Sequence, residues 1–118
     1  MQSSLNTVEV ASTFQKGPCY RYIRRSDELP VAIDPGIPSN LVVASVKLFN
    51  PTGLGTWWLA SFDPETGIAY GVIDLHQPMA GNFDLLELLE YRGLYGLPIE
   101  RELGYSPRTV AELLAQTG

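Results

Sequence analysis

From residue 41 the apolar positions of this chain fall into a short-period pattern, and from residue 83 into a longer one. The run "LVVASVKLF" (41–49) is rich in β-branched residues and places Val42, Ala44, Val46 and Leu48 on one face of a strand, with Lys47 on the other. "TWWLASF" (56–62) and "IAYGVIDL" (68–75) follow, joined by "DPETG". A loop that contains proline and ends in glycine between two β-prone runs is a hairpin signal, so three consecutive antiparallel strands are predicted. In "NFDLLELLEYRG" the period lengthens: Leu85, Leu88 and Leu89 share a stripe while Glu87 and Glu90 face outward. Asp84 and Glu87 have capping-box spacing, Phe83 can staple against Leu88, and Gly93 suits a left-handed stop. A second, shorter helix starts in "SPRTVAELL", where Thr109 and Glu112 repeat the capping-box spacing and Val110, Leu113 and Leu114 form the inward edge. Strands followed by helices predict an α+β fold, an antiparallel sheet of at least three strands with two C-terminal helices packed on one face.

The first forty residues carry less pattern. Residues 1–16 have no clear period or strong cap and read as a loosely tied arm. "GPCYRYIRRSDELPVAIDPGIPSN" (17–40) holds four prolines and two glycines. Proline fixes φ and withholds a donor, so this is a mostly irregular connection with room in "YRYIRR" for a short strand or helical turn. At 118 residues and 45% apolar content, the expectation is one domain over 1–118, with the core in 41–118.

Charge narrows the partner classes. The net charge is -5, and from residue 60 onward three basic residues face nine acidic ones. Nucleic-acid binding draws most of its affinity from Lys and Arg on phosphates, so direct binding of DNA or RNA is disfavoured, the local "RYIRR" patch aside. The same charge is modest for a protein that would imitate DNA. No apolar run approaches the ~18 residues of a membrane span, and "MQSSLNTVEV" lacks a basic start and an apolar stretch, so a cytoplasmic protein is expected. Cys19 alone cannot close an internal disulfide.

The candidate chemistry is sparse. In "IEREL", period two puts Ile99, Arg101 and Leu103 on one face and Glu100 with Glu102 on the other. A guanidinium among apolar residues needs a partner, so Arg101 is expected to be partly buried and paired, with Glu87, Glu90 or a backbone carbonyl. Glu100 and Glu102 read as solvated. Trp57 and Trp58 are adjacent and point to opposite faces; one enters the core, and the other needs a second layer, the arm or a partner to cover it. His76, the only histidine, follows a strand two residues after Asp74, but without a nucleophile motif or a second ligand at metal spacing it reads as a loop residue. "DPETG" is explained as a turn, "PTGLG" lacks the Gly-Lys-Ser ending of a phosphate loop, and "PCY" is no redox motif. No catalytic residue, metal or cofactor is therefore assigned.

The segments "VKLFNPTGLGTWWLASFDPETGIAYGVIDL", "FDLLELLEYRG" and "GLPIERELGYSPRTVAEL" resemble the bacterial family labelled domain of unknown function two-nine-five-eight, over about residues 46–114. The most specific parts are the Phe-x-Pro turn before a Trp-x-Trp-like strand, the Tyr-Gly-Val strand and the Gly-Leu-Pro-Ile-Glu-Arg segment. The chain departs from the family pattern in two places: it reads Ala60 and Ser61 where an acidic residue usually follows the strand, and Glu102 replaces Asp with its charge kept. Members occur on plasmids, integrative elements and in phage-related settings. The resemblance implies a small cytosolic accessory protein and brings no established activity.

The expectation is a non-enzymatic module contacting a protein partner, self-association remaining open, through one tryptophan of the Trp57/Trp58 pair, Tyr70 and the charged segment Glu100, Arg101 and Glu102. Two alternatives stand beside it. One is a small hydrolase or ligand-binding enzyme using His76 with Asp74 or Glu100, and the other an acidic inhibitor of a nucleic-acid-binding enzyme.

Overall fold

The computed structural model describes residues 22–116; the predicted arm at 1–16 and Cys19 lie outside the described residues. Strands β2 (Val46–Phe49), β3 (Thr56–Asp63), β4 (Ile68–Asp74) and β5 (Pro78–Asp84) form an antiparallel meander, and the short β6 (Glu100–Arg101) joins the free edge of β2. The sheet order is β5-β4-β3-β2-β6. A second, two-stranded ribbon pairs β1 (Val43–Ala44) with β7 (Arg108–Thr109). Among the described residues the α-helices are α1 (Leu85–Glu90) and α2 (Val110–Leu114).

β3 is the centre of the molecule, with every residue from Trp57 to Phe62 buried. A strand covered on one face alternates buried and exposed positions; one buried throughout has a layer on each side. On the first face, Trp57, Leu59 and Phe62 pack with Val46, Leu48, Ile99, the helix residues Leu85 and Leu89, and Tyr22, Ile23 and Leu29 from the N-terminal segment. On the second, Trp58 and Ala60 pack with Val42, Ala44, Val72, Val110 and Leu113. Each large aliphatic or aromatic side chain fully buried here contributes about 1.5–3 kcal/mol. The two helices therefore cover opposite faces, which corrects the expectation that both lie on one. Both N-cap residues, Asp84 and Thr109, act as caps, though only Thr109 with Glu112 forms the reciprocal box, and the stripes are real; a helix stripe does not encode which side of a sheet receives it.

The run at 41–49 is also not one strand. Val42 and Ala44 belong to the second face, Val46 and Leu48 to the first. Between them Ser45 leaves the ladder, its N–H donating to Leu59 O at 2.9 Å, and the chain passes from the β1–β7 ribbon into the main sheet. Period two was correct within each half and broke at the crossing.

A bulge gives β3 its two-faced burial. Leu59 pairs with Gly71 and Ser61 with Tyr70, so Ala60 is the extra residue. An added residue resets the alternation, which returns Phe62 to the first face beside Ala69. Gly71 is required opposite it: a Cβ there would run into the Trp58 carbonyl oxygen.

β5 was not predicted. "PMAGNFD" is poor in β-formers and tolerable only as an edge strand, with its proline at the first position. Asp84 caps α1 as expected, accepting from Leu86 N at 2.9 Å. Gly93 is not the left-handed stop; its φ is -95°, and α1 ends by running into extended backbone at Tyr91. Thr109 and Glu112 complete the capping box of α2 through bonds of 3.1 and 2.8 Å. The described residues 22–38 are mostly irregular, with a 3-10 turn at Arg25–Asp27, yet they supply Tyr22, Ile23 and Leu29 to the core.

Candidate functional site

β6 pairs Arg101 opposite Leu48, which aims its side chain toward the first-face core along with Ile99. There the guanidinium meets Asp27 in a fork, Nη1 to Oδ2 at 2.7 Å and Nη2 to Oδ1 at 2.8 Å, while Nη1 also donates to Tyr22 O at 2.8 Å. The pair is largely withdrawn from water, with side-chain exposures of 14% for Arg101 and 7% for Asp27. Asp27 Oδ2 accepts a further bond from Arg24 N at 2.6 Å, and the Tyr22 hydroxyl donates to Ile99 O at 2.9 Å. Arg101 is thus partly buried and paired, as expected, and does bind a backbone carbonyl. Its carboxylate, however, is Asp27 rather than Glu87 or Glu90. The arrangement latches the N-terminal segment onto the sheet edge and leaves little guanidinium for a partner.

The remaining candidates fall elsewhere. β6 ends at Arg101, so Leu103 leaves the pattern and is exposed. Glu102 is engaged rather than simply solvated: its carboxylate lies 2.9 Å from Lys47 Nζ, which stands 5.8 Å from the centroid of the Trp58 ring. Glu100 is half-buried. Trp57 and Trp58 do point to opposite faces, but both are buried, Trp58 beneath the second layer. Neither offers an exposed anchor, and with Arg101 on the first face and Tyr70 on the second, the proposed surface is not a single patch. His76 is exposed in the β4–β5 turn; it shares the wall of a shallow depression with Asp74 and Thr56, and no hydrogen bond joins the three. Among the described residues no three of His, Cys, Asp and Glu gather to hold a metal ion, and no helix is long and apolar enough to cross a membrane.

Two features emerge that sequence reasoning missed. The first is an apolar rim at the end of the sheet where β2 runs into β3 and β4 into β5. Asn50 Nδ2 donates to Leu54 O at 3.0 Å and to the Tyr91 hydroxyl at 3.3 Å, and Thr52 Oγ1 accepts from Leu94 N at 3.1 Å. These bonds fasten the β2–β3 loop to the segment after α1 and present Leu54, Leu94, Tyr95 and Leu97 to solvent, with Leu75 nearby. Tyr95 is 87% exposed and has a left-handed φ of 60°, uncommon for a non-glycine residue. The signal in the sequence was "GLYGLP", apolar residues in a glycine-bounded stretch too short to hide them.

The second is a cleft of about 620 Å³ beneath residues 31–39, on the second face. Its floor is a row of register partners across three strands, Ser61 on β3, Tyr70 on β4 and Asn82 on β5. Ser61 is 2% exposed, and among the described residues its hydroxyl has no hydrogen-bond partner, nor do the Tyr70 hydroxyl or the Asn82 amide. A buried hydroxyl without a partner costs about 1–3 kcal/mol, so Ser61 carries the polar demand of the row; Tyr70 is half-buried and Asn82 exposed beside it. Asp34 and Asp63 stand at its margins, each using Oδ1 to close a turn, to Gly36 N and Glu65 N at 2.9 Å. The sequence signal was Ser61 itself, a polar residue inside an apolar strand.

A bulged antiparallel sheet, layered on both faces and closed by a C-terminal helix and ribbon, defines a small α+β domain. The chain belongs to the family described as "Protein of unknown function (DUF2958)", whose model matches residues 39–116. No curated protein matches, and no solved structure does. The match runs from the 3-10 turn at Ser39–Leu41 to the end of α2, and so covers the main sheet, the ribbon and the rim, while the Asp27 side of the latch lies before it.

Proposed function

We propose that the protein is a non-enzymatic interaction module, an accessory or regulatory protein of a bacterial mobile element, phage or its host, that contacts a protein partner through the apolar rim. The observation that carries this reading is Tyr95, an almost fully exposed aromatic held in left-handed backbone between Leu94 and Leu97 by a hydrogen-bonded loop pair. Exposed aromatic and aliphatic groups gathered at one place mark contact surfaces. The rim replaces the buried tryptophans as the anchor.

The test is affinity capture by the full chain from its host, comparing wild type with Tyr95→Ser and Leu94→Ser, and with Leu103→Ser as an exposed control at the opposite end of the sheet. A partner retained by wild type and Leu103→Ser at high salt, but lost from both folded rim variants, is the expected result. Retention by the rim variants, or capture that disappears steeply with salt, overturns the rim. The second outcome would favour the acidic carboxyl-rich surface, since charge-based contacts weaken with ionic strength.

A further inference from the structure

We propose that the cleft over Ser61, Tyr70 and Asn82 binds an ammonium or guanidinium group carried on a short aliphatic stem. The site is separate from the rim, and its chemistry follows from what surrounds the polar row. Ser61, Tyr70 and Asn82 offer oxygen acceptors on the floor, none of them used by the described residues. At the margins Asp34 and Asp63 each keep Oδ2 free, and neither joins an ion pair among the described residues. Among the described residues no lysine, arginine or histidine lines the cleft, so a phosphate or carboxylate would meet two negative charges there and no positive one. Ile33, Ile37 and Ile68 supply apolar wall for a methylene stem. The volume is within the roughly 300–1,000 Å³ of small-molecule sites, and apolar walls with a few convergent polar groups are their usual composition.

The β3 bulge makes the row possible. With Ala60 and Ser61 on consecutive positions around the register shift, Ser61 comes to lie beside Tyr70 and then Asn82 while Phe62 regains the first face. A regular strand would have to surrender one or the other.

Titration of the isotope-labelled full chain, followed by amide NMR shifts, tests this with agmatine, butylamine, butanol and butyrate as probes. Agmatine and butylamine should move the signals of Ser61, Tyr70 and Asn82, whereas butanol and butyrate should not. Asp34→Asn and Asp63→Asn each keep the oxygen that closes its turn while removing the charge, and should weaken agmatine binding about tenfold. Ser61→Ala should weaken it also, and Asp74→Asn, outside the cleft, should leave it unchanged. Equal binding of butyrate, shifts scattered over the acidic surface, or undiminished affinity in both asparagine variants would overturn the proposal. A capped Ala-Arg-Ala peptide separates the two sources of the same group: tighter binding than agmatine assigns it to a partner's side chain, weaker binding to a free metabolite.

Discussion

Arg101 and Asp27, 74 positions apart in the chain, meet in a two-pronged ion pair of 2.7 and 2.8 Å that is mostly shielded from water. Removing one member of such a pair strands the other, at about 3–5 kcal/mol. Arg101→Ala and Asp27→Ala should each lower stability by about that amount in urea titrations, and the double variant should lose much less than the sum of the two. Arg101→Lys should recover only part, because an ammonium cannot reproduce the fork to Asp27 while also reaching Tyr22 O. Additive losses would show that the two groups act independently.

Gly71 faces the β3 bulge with no room for a side chain. Gly71→Ala should destabilise by about 3 kcal/mol as backbone shifts to admit the methyl group. Its register partner Gly81 has open space around it, so Gly81→Ala should change stability by no more than about 0.5 kcal/mol. Thermal unfolding of the two variants side by side measures the difference, and equal effects would remove the packing explanation.

Both tryptophans are core residues, so their fluorescence should be blue-shifted and resist acrylamide quenching in the native protein. Trp57→Ala and Trp58→Ala should each cost about 3–5 kcal/mol, and any loss of partner binding in them would have to be separated from unfolding. Ready quenching of either ring would contradict the two-layer packing.

Glu112 is held below its ordinary carboxyl range, first by the hydrogen bond from Thr109 N and then by that from the Thr109 side chain. A depressed folded-state pKa contributes stability above the unfolded value of about 4.5, and that contribution is lost as pH falls through the folded value. Between neutral and acidic pH, wild type should therefore lose more stability than Glu112→Gln, which keeps an oxygen for the cap but does not titrate. Identical pH profiles from chemical denaturation would argue against the charged form of the capping box.

Local signals in the sequence were dependable where they concern neighbours along the chain. The "DPETG" hairpin, the Asp84 cap and the Thr109–Glu112 box are settled within a few residues, and the structure contains each. Arg101 could be assigned a buried, paired state because period two and the cost of an unpaired charge suffice for that, whereas Asp27 as its partner is a matter of tertiary placement. The burial of both tryptophans depended on a second layer built from Val42, Ala44 and α2, which nothing local announces. β5 escaped because an edge strand with little burial has little alternation to display. The rim and the cleft were hidden for the same reason: each is assembled from loops or strands distant in sequence, and only their odd residues, Tyr95 and Ser61, stood out of pattern.

The latch also orders events during synthesis. Tyr22 and Asp27 leave the ribosome well before Arg101 and Ile99, the groups that fasten them, and Val43 likewise precedes its ribbon partner Thr109. The meander from β2 to β5 can pair as it emerges, but neither of its faces is closed until the last segments arrive. A nascent chain halted after α1 would display an incomplete first face and an Asp27 without its guanidinium, with only the local bond from Arg24 N. Closure of the first face is thereby tied to the late arrival of Ile99 and Arg101, and closure of the second to the still later ribbon strand and α2.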